Sequence, residues 1–111
     1  MNDQFIKEMF DNLKKTKDIN KINKNKSYTA HLINNPELLA KKIGEESSEL
    51  IIDFIKKNKK GIVNESADLI YHLIVLWISI DVDPQDIWKE LSNRKLKSGF
   101  EEKNSRSLKD E

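Results

Sequence analysis

One stretch of the chain constrains its fold more than any other. Between Leu69 and Trp77 the only strongly polar residue is His72. A helix built from this stretch is apolar nearly all round, so it needs cover on every side. The apolar run ends at Ile80, short of the roughly 20 residues that a membrane span requires. We therefore expect a soluble, cytoplasmic protein with no membrane partner, in which this segment is the central helix of a bundle.

Two asparagine-or-aspartate plus proline pairs, at Asn35-Pro36 and Asp83-Pro84, indicate helix starts. Apolar residues recur at helical spacing elsewhere, and no useful length alternates with period two. The sequence predicts one all-α domain over residues 1–111, with a variable helix and loop over 1–26 and a charged tail over 98–111. The predicted elements are helices at 3–17, 36–57, 62–80 and 84–97, a polar loop at 17–26 and a turn at 58–61.

Composition excludes several classes of function. The 111 residues include 20 basic and 19 acidic side chains, which leaves a net charge of +1. A general nucleic-acid-binding protein would carry a basic excess, so no nucleic-acid partner is expected. The absence of cysteine excludes thiolate chemistry and cysteine-ligated zinc. Three glycines are too few for a glycine-rich phosphate-binding loop.

Acidic residues form one cluster on each of the two long predicted helices. Glu45, Glu46 and Glu49 lie at i,i+3 and i,i+4 spacings, and Glu65 and Asp68 form a second i,i+3 pair. Residues at these spacings share a helix face, where like charges repel. If the helices pack antiparallel across the turn, the two groups lie at similar distances from it and face each other.

Converging carboxylates require a cation, and oxygen ligands select Mg²⁺ first and Mn²⁺ second. Such a site predicts phosphate chemistry, most simply metal-assisted hydrolysis. A di-iron site is disfavoured because no Glu-x-x-His occurs. The plainer alternative is that the carboxylates are solvated helix-face charges. Lys42 either pairs with Glu46 or meets a phosphate, His72 is more typical of a core histidine than a catalyst, and Asp53 is expected to be exposed.

These motifs carry a family resemblance. The segments 42–49 (KIGEESSE) and 65–76 (ESADLIYHLIVL), together with Ser27-Tyr28-Thr29-Ala30, resemble phosphoribosyl-ATP pyrophosphohydrolase, which catalyses the second step of histidine biosynthesis. Residues 90–94 and 98–106 resemble that family's final helix and tail. The acidic pattern alone belongs to the wider all-α nucleotide pyrophosphatases, including MazG-like enzymes. His31 departs from the resemblance, which implies a lysine or arginine at this position in many relatives.

The resemblance implies hydrolysis of phosphoribosyl-ATP to phosphoribosyl-AMP and pyrophosphate by a homodimer with Mg²⁺, or Mn²⁺. It implies metal ligation by Glu46, Glu49, Glu65 and Asp68. Catalytic roles fall to Glu46 and to Glu45, which is either a further ligand or the base that orients water. The residues implied to contact substrate are Lys42, Ser27, Tyr28, Thr29 and His72, with Lys103 and Arg106 as weaker candidates. Two alternatives stay open: a house-cleaning nucleoside triphosphate pyrophosphatase of the same fold, and a non-enzymatic helical interaction module.

Overall fold

The computed structural model describes residues 3–23 and 27–95, with side chains omitted at Asp3 and at 18–23. Within these ranges the chain is built from helices and contains no strand, as the sequence predicts. The predicted tail at 98–111, with Lys103 and Arg106, lies outside the described residues, as do residues 24–26. The helices are α1 (Asp3–Asn23), α2 (Tyr28–Ile33), α3 (Pro36–Ile55), α4 (Lys59–Ser79) and α5 (Pro84–Lys95).

A tight turn joins α3 and α4 into an antiparallel hairpin. At the start of α3 the Leu38 amide donates to the Asn35 side chain at 3.3 Å, and Pro36 occupies the first turn. At the start of α4 the Gly61 amide donates to the Asn58 side chain at 3.2 Å. Side-chain acceptors at these positions satisfy amides that have no partner within the helix. The two caps therefore fix where the hairpin begins and turns.

Helix α4 is the central element. Ile74, Val75 and Ile78 are fully buried, but Ile70 is 41% exposed, so within the described chain the segment is covered on part of its circumference and not on every side. Ile74 and Ile78 pack with Ile6 and Phe10 of α1. Val75 packs on the other side, with Leu32 of α2 and Leu39 of α3. Trp77 and Trp88 meet edge to face at 6.4 Å and connect α5 to the core.

The same helix is the one element of the described chain that is long and apolar enough to cross a membrane, judged by length and composition alone. Buried core helices of soluble proteins pass the same test, so this finding is weak evidence for a membrane span. The packing of α4 against α1, α2 and α3 buries Ile74, Val75 and Ile78, whereas Val63 and Ile70 stay exposed.

Several predicted boundaries were wrong. Helix α1 continues to Asn23, through most of the predicted polar loop. Residues 3–23 contain neither glycine nor proline, and polarity by itself does not end a helix. Helix α4 begins at Lys59, three residues early, because Asn58 caps it.

Lys17 connects α1 to the end of α4. Its Nζ donates to the Ile78 carbonyl at 3.2 Å and to Asp81 Oδ1 at 3.0 Å. The hydrogen bond and charge of Lys17 lower the pKa of Asp81 below its ordinary value. Asp81 has a positive φ of 58°, so this ion pair also holds a left-handed residue that ends the helix.

We expect Lys17→Met to lower the melting temperature at neutral pH and to lower it less in acid, where the Asp81 part of the effect is lost. A carboxyl whose pKa is lowered by folding stabilises the fold above its unfolded-state pKa, and this stabilisation is lost as pH falls through its folded-state pKa. The gap between wild type and variant should therefore narrow between about pH 7 and about pH 3. Thermal unfolding followed by circular dichroism measures it, and a gap independent of pH would contradict the assignment.

Candidate active site

The acidic clusters of α3 and α4 face each other across the hairpin, as the sequence predicts. The side chains of Glu49 and Glu65 lie within hydrogen-bonding reach of one another. Burial raises the pKa of Glu65, and the hydrogen bond that its protonated form donates to Glu49 and the charges of Glu49, Asp68 and Asp53 raise it further. Two carboxylates so close are held together only by a shared proton or by a cation.

Glu65 also has an oxygen without a protein partner. Its Oε2 is buried and makes no hydrogen bond in the described part of the chain. Buried polar atoms are almost always satisfied, so an orphaned carboxylate oxygen requires an explanation. A bound cation would supply the missing partner.

Glu46 has a different environment from its neighbours in the acidic run. It is 9% exposed, whereas Glu45 and Glu49 are exposed. Glu46 Oε1 lies 2.6 Å from Nδ1 of His72, a buried residue of α4. His72 therefore contacts the acidic cluster directly. It is also buried and hydrogen-bonded, as expected for a core histidine in an apolar segment.

Lys42 does not pair with Glu46 in the structure. The ion pair on this turn of α3 joins Lys41 to Glu45, at 3.9 Å. Among the described residues Lys42 makes no salt bridge, and it is half buried. Its charge is available to an incoming anion.

The Ser-Tyr-Thr element forms the start of α2, and its three hydroxyls differ in their availability. The Ala30 amide donates to Ser27 Oγ at 3.3 Å, which makes Ser27 the helix cap. Thr29 is buried, and its hydroxyl bonds the Tyr71 hydroxyl at 2.5 Å. Tyr28 is half exposed, and its hydroxyl lies 3.5 Å from His72 Nε2. Contact with substrate stays a prediction for all three.

Tyr71 is a site-lining residue that sequence reasoning missed. Its ring stacks on Tyr28 with centroids 6.3 Å apart and meets the His72 ring edge to face at 5.1 Å. Burial raises its pKa. No spacing rule in a single sequence connects residues 28–29 to residues 71–72, so only the fold reveals the cluster. Asp53, expected to be exposed, is half buried beside Gly61 and acts electrostatically on Glu65.

The side chains at the site offer the type of donor atom that a hard divalent cation prefers. The four implied ligands, Glu46, Glu49, Glu65 and Asp68, supply oxygen atoms only, which Mg²⁺ and Mn²⁺ prefer. The orphaned Glu65 oxygen and the close Glu49–Glu65 contact mark where positive charge is needed. Among the described residues, however, no three acidic or histidine side chains are gathered closely enough to hold an ion as they stand. Binding would draw the ligands together.

Comparisons with known proteins agree with this arrangement. Residues 6–95 match the family model described as phosphoribosyl-ATP pyrophosphohydrolase. The phosphoribosyl-ATP pyrophosphatase of Granulibacter bethesdensis is 44% identical over 69 residues, which cover 62% of this chain and 43% of the relative. That of Gluconobacter oxydans is 46% identical over 68 residues, covering 61% and 51%. These matches span about half the length of those two relatives.

A further relative matches over more of its length. The phosphoribosyl-ATP pyrophosphatase of Paramagnetospirillum magneticum is 44% identical over 85 residues, covering 76% of this chain and 78% of the relative. No solved structure shows a significant match. The family model spans most of the chain, including both acidic clusters and the α2 element, and so the chain belongs to the phosphoribosyl-ATP pyrophosphohydrolase family.

Proposed function

We propose that this protein hydrolyses phosphoribosyl-ATP to phosphoribosyl-AMP and pyrophosphate, the second step of histidine biosynthesis, in the cytoplasm. The observation that carries the proposal is the facing pair of Glu49 and Glu65, with a buried Glu65 oxygen that has no donor among the described residues. A cluster of hard oxygen ligands that lacks its counter-charge is suited to a divalent cation bridging protein carboxylates and substrate phosphates. The activity named for the relatives is of this kind.

In this proposal Glu46, Glu49, Glu65 and Asp68 hold Mg²⁺, with Mn²⁺ as the alternative. The ion neutralises phosphate charge and lowers the pKa of bound water. Glu49 and Asp68 are exposed, so their side chains are free to move toward a shared ligand position. Glu46 and Glu65, which are more buried, set where that position lies.

The remaining residues act on water and substrate. Water attacks phosphorus at the α–β phosphate linkage; a new P–O bond forms, the bridging P–O bond breaks, and pyrophosphate leaves. Glu45, whose side chain is 47% exposed, accepts the proton of the attacking water. Lys42 donates to a phosphate, and the half-exposed Tyr28 hydroxyl is the member of its element that substrate can reach, as an acceptor while it donates to His72.

The proposal includes a homodimer, supported by an apolar surface at the hairpin's closed end. Several large hydrophobic side chains there are exposed, and α3 and α4 enclose a groove of about 360 Å³ lined almost entirely by apolar atoms. Such a surface on a small protein is typical of an interface. A second copy of the chain, carrying the same apolar hairpin, fits it best. The exposed residues include Ile51, Phe54, Ile55 and Val63.

We expect Phe54→Glu to convert the dimer to monomer. Phe54 is 71% exposed in the single chain and lines the groove, so a charge there would be buried in the dimer without a partner. Phe5→Glu is the matched control, since Phe5 is 63% exposed but lies on α1. Light scattering after size-exclusion chromatography gives the masses. A wild-type monomer, or a dimer unaffected by Phe54→Glu, would contradict the proposed interface.

The activity itself is tested by pyrophosphate release from phosphoribosyl-ATP, beside ATP and dUTP, with and without Mg²⁺. We expect fast, Mg²⁺-dependent release from phosphoribosyl-ATP and much slower release from the other two. Preferred turnover of dUTP or another triphosphate would favour a house-cleaning pyrophosphatase and refute the pathway assignment. No turnover of any substrate would refute the enzymatic proposal.

A further inference from the structure

A buried hydrogen-bonded pair lies inside the acidic cluster. His72 and Glu46 contact each other at 2.6 Å, and their side chains are 6% and 11% exposed. Glu45 and Glu49, by contrast, are exposed. Glu46 is therefore the member of its acidic run whose orientation is fixed by the protein itself, through a residue of the facing helix.

The chemistry of the pair assigns the imidazole hydrogen. An ionised carboxylate can only accept, so Nδ1 of His72 carries the hydrogen and donates it to Glu46. The other ring nitrogen, Nε2, lies 3.5 Å from the Tyr28 hydroxyl, which donates to it in the neutral ring. The Tyr28 and Tyr71 rings meet the imidazole edge to face, at 6.2 Å and 5.1 Å. Packing and hydrogen bonds thus restrict both the tautomer and the ring orientation.

We propose that His72 is a positioning residue: its Nδ1–H holds one oxygen of Glu46 and leaves the other oxygen for the metal. The assignment rests on the proposed metal-dependent function, and it gives His72 a role other than the substrate contact that the resemblance implies. Burying a carboxylate without a partner destabilises the fold. A donor that stays in place with and without metal therefore keeps Glu46 oriented for metal binding. Hydrogen bonds to metal-ligating carboxylates generally orient them and tune affinity.

Two substitutions separate this role from simple packing. In His72→Asn the side-chain amide nitrogen occupies the branch position of Nδ1 and can still donate to Glu46. In His72→Gln the amide lies one bond further out, toward the position of Nε2 and Tyr28. Both residues are polar, neutral and smaller than histidine. A purely structural histidine would be replaced about equally well, or equally badly, by either.

The readout is Mn²⁺ affinity of the full-length protein, measured by electron paramagnetic resonance of the free ion. We expect His72→Gln to weaken binding by about 10- to 100-fold and His72→Asn to stay close to wild type. Thermal unfolding of both variants shows that each is folded. Equal weakening in two folded variants would overturn the positioning role, as would wild-type affinity in both.

A measurement on the wild type keeps the proposal testable if the variants fail to fold. The protein has two histidines, and His31 is exposed, so a His31→Asn variant identifies the His72 signals. Long-range proton–nitrogen correlation of the rings should show the hydrogen of His72 on Nδ1. A hydrogen confined to Nε2 would overturn the proposal.

The outcomes also separate this inference from the proposed function. A wild-type protein that binds no Mn²⁺ and releases no pyrophosphate refutes the function, and the His72 assignment with it. A wild type that binds and turns over normally, with His72→Gln unchanged in affinity, refutes only the His72 assignment.

Discussion

Replacing Glu65 by glutamine should abolish pyrophosphate release and at the same time make the metal-free protein more stable. Glu65 supplies the orphaned oxygen of the site, and its charge is opposed by Glu49, Asp68 and Asp53. Loss of one metal ligand removes transition-state stabilisation, so we expect activity to fall by about 100-fold or more. The stability gain follows because glutamine keeps the shape of Glu65 without its charge.

The sign of the stability effect depends on pH. Folding raises the pKa of Glu65, so ionising it opposes folding, and stability is lost as pH rises through the unfolded-state pKa toward the folded-state pKa. The melting temperature of Glu65→Gln should therefore exceed that of wild type at neutral pH. The excess should shrink in acid, where the wild-type carboxyl is protonated. Differential scanning calorimetry with a chelator present measures both.

Glu90→Gln is the matched control for this substitution. Glu90 is exposed on α5 and accepts from Arg94 at 3.1 Å, away from the acidic cluster. Its replacement should leave activity unchanged and stability nearly so, because exposed ion pairs contribute little. A destabilised Glu65→Gln, or one that retains full activity, would contradict the view that the Glu65 carboxylate destabilises the metal-free fold and binds the metal.

The largest effect on folding is expected from Ile74→Ala. Ile74 is fully buried on α4, where it packs with Ile6, Phe10 and Ile78. Removing buried methyl and methylene groups costs the transfer free energy and leaves a cavity, about 2–5 kcal/mol in total. That is a large part of the stability of a typical small domain.

Urea unfolding of the variant measures this cost, and Ile80→Ala is the control. Ile80 is 63% exposed at the end of the same helix, so its truncation should change the unfolding free energy by only about 0.5 kcal/mol. Similar losses at Ile74 and Ile80 would mean that α4 is not the centre of the core.

Much of the architecture could be predicted from local signals. Asn35-Pro36 and Asp83-Pro84 mark helix starts because their chemistry acts within a few residues. The apolar run of α4 predicts a central helix because only a position among other helices removes its apolar side chains from water. The α1 boundary could not be predicted in the same way. Polar residues without glycine or proline allow either helix or loop, and distant contacts such as Lys17 with Asp81 lie beyond the reach of local patterns.

In the site, too, some features follow from local sequence and others depend on contacts between distant segments. The i,i+3 and i,i+4 carboxylates and the short turn between helices predict the facing acidic clusters, and Glu49 and Glu65 do meet. The pairing of His72 with Glu46, rather than Lys42 with Glu46, depends on which face of α4 packs against α3. The Thr29–Tyr71 and Tyr28–His72 contacts depend on where α2 lies. Such contacts between distant segments are set by packing, which spacing within one helix does not encode.

The most direct test of the account is to locate the metal. Crystals of the protein grown with Mn²⁺ and a non-hydrolysable phosphoribosyl-ATP analogue would show the ion by its anomalous scattering. The account predicts a peak between α3 and α4, coordinated by Glu65 and Glu49 and by phosphate oxygens of the analogue. A peak elsewhere, or an analogue bound with no ion beside these carboxylates, would contradict it.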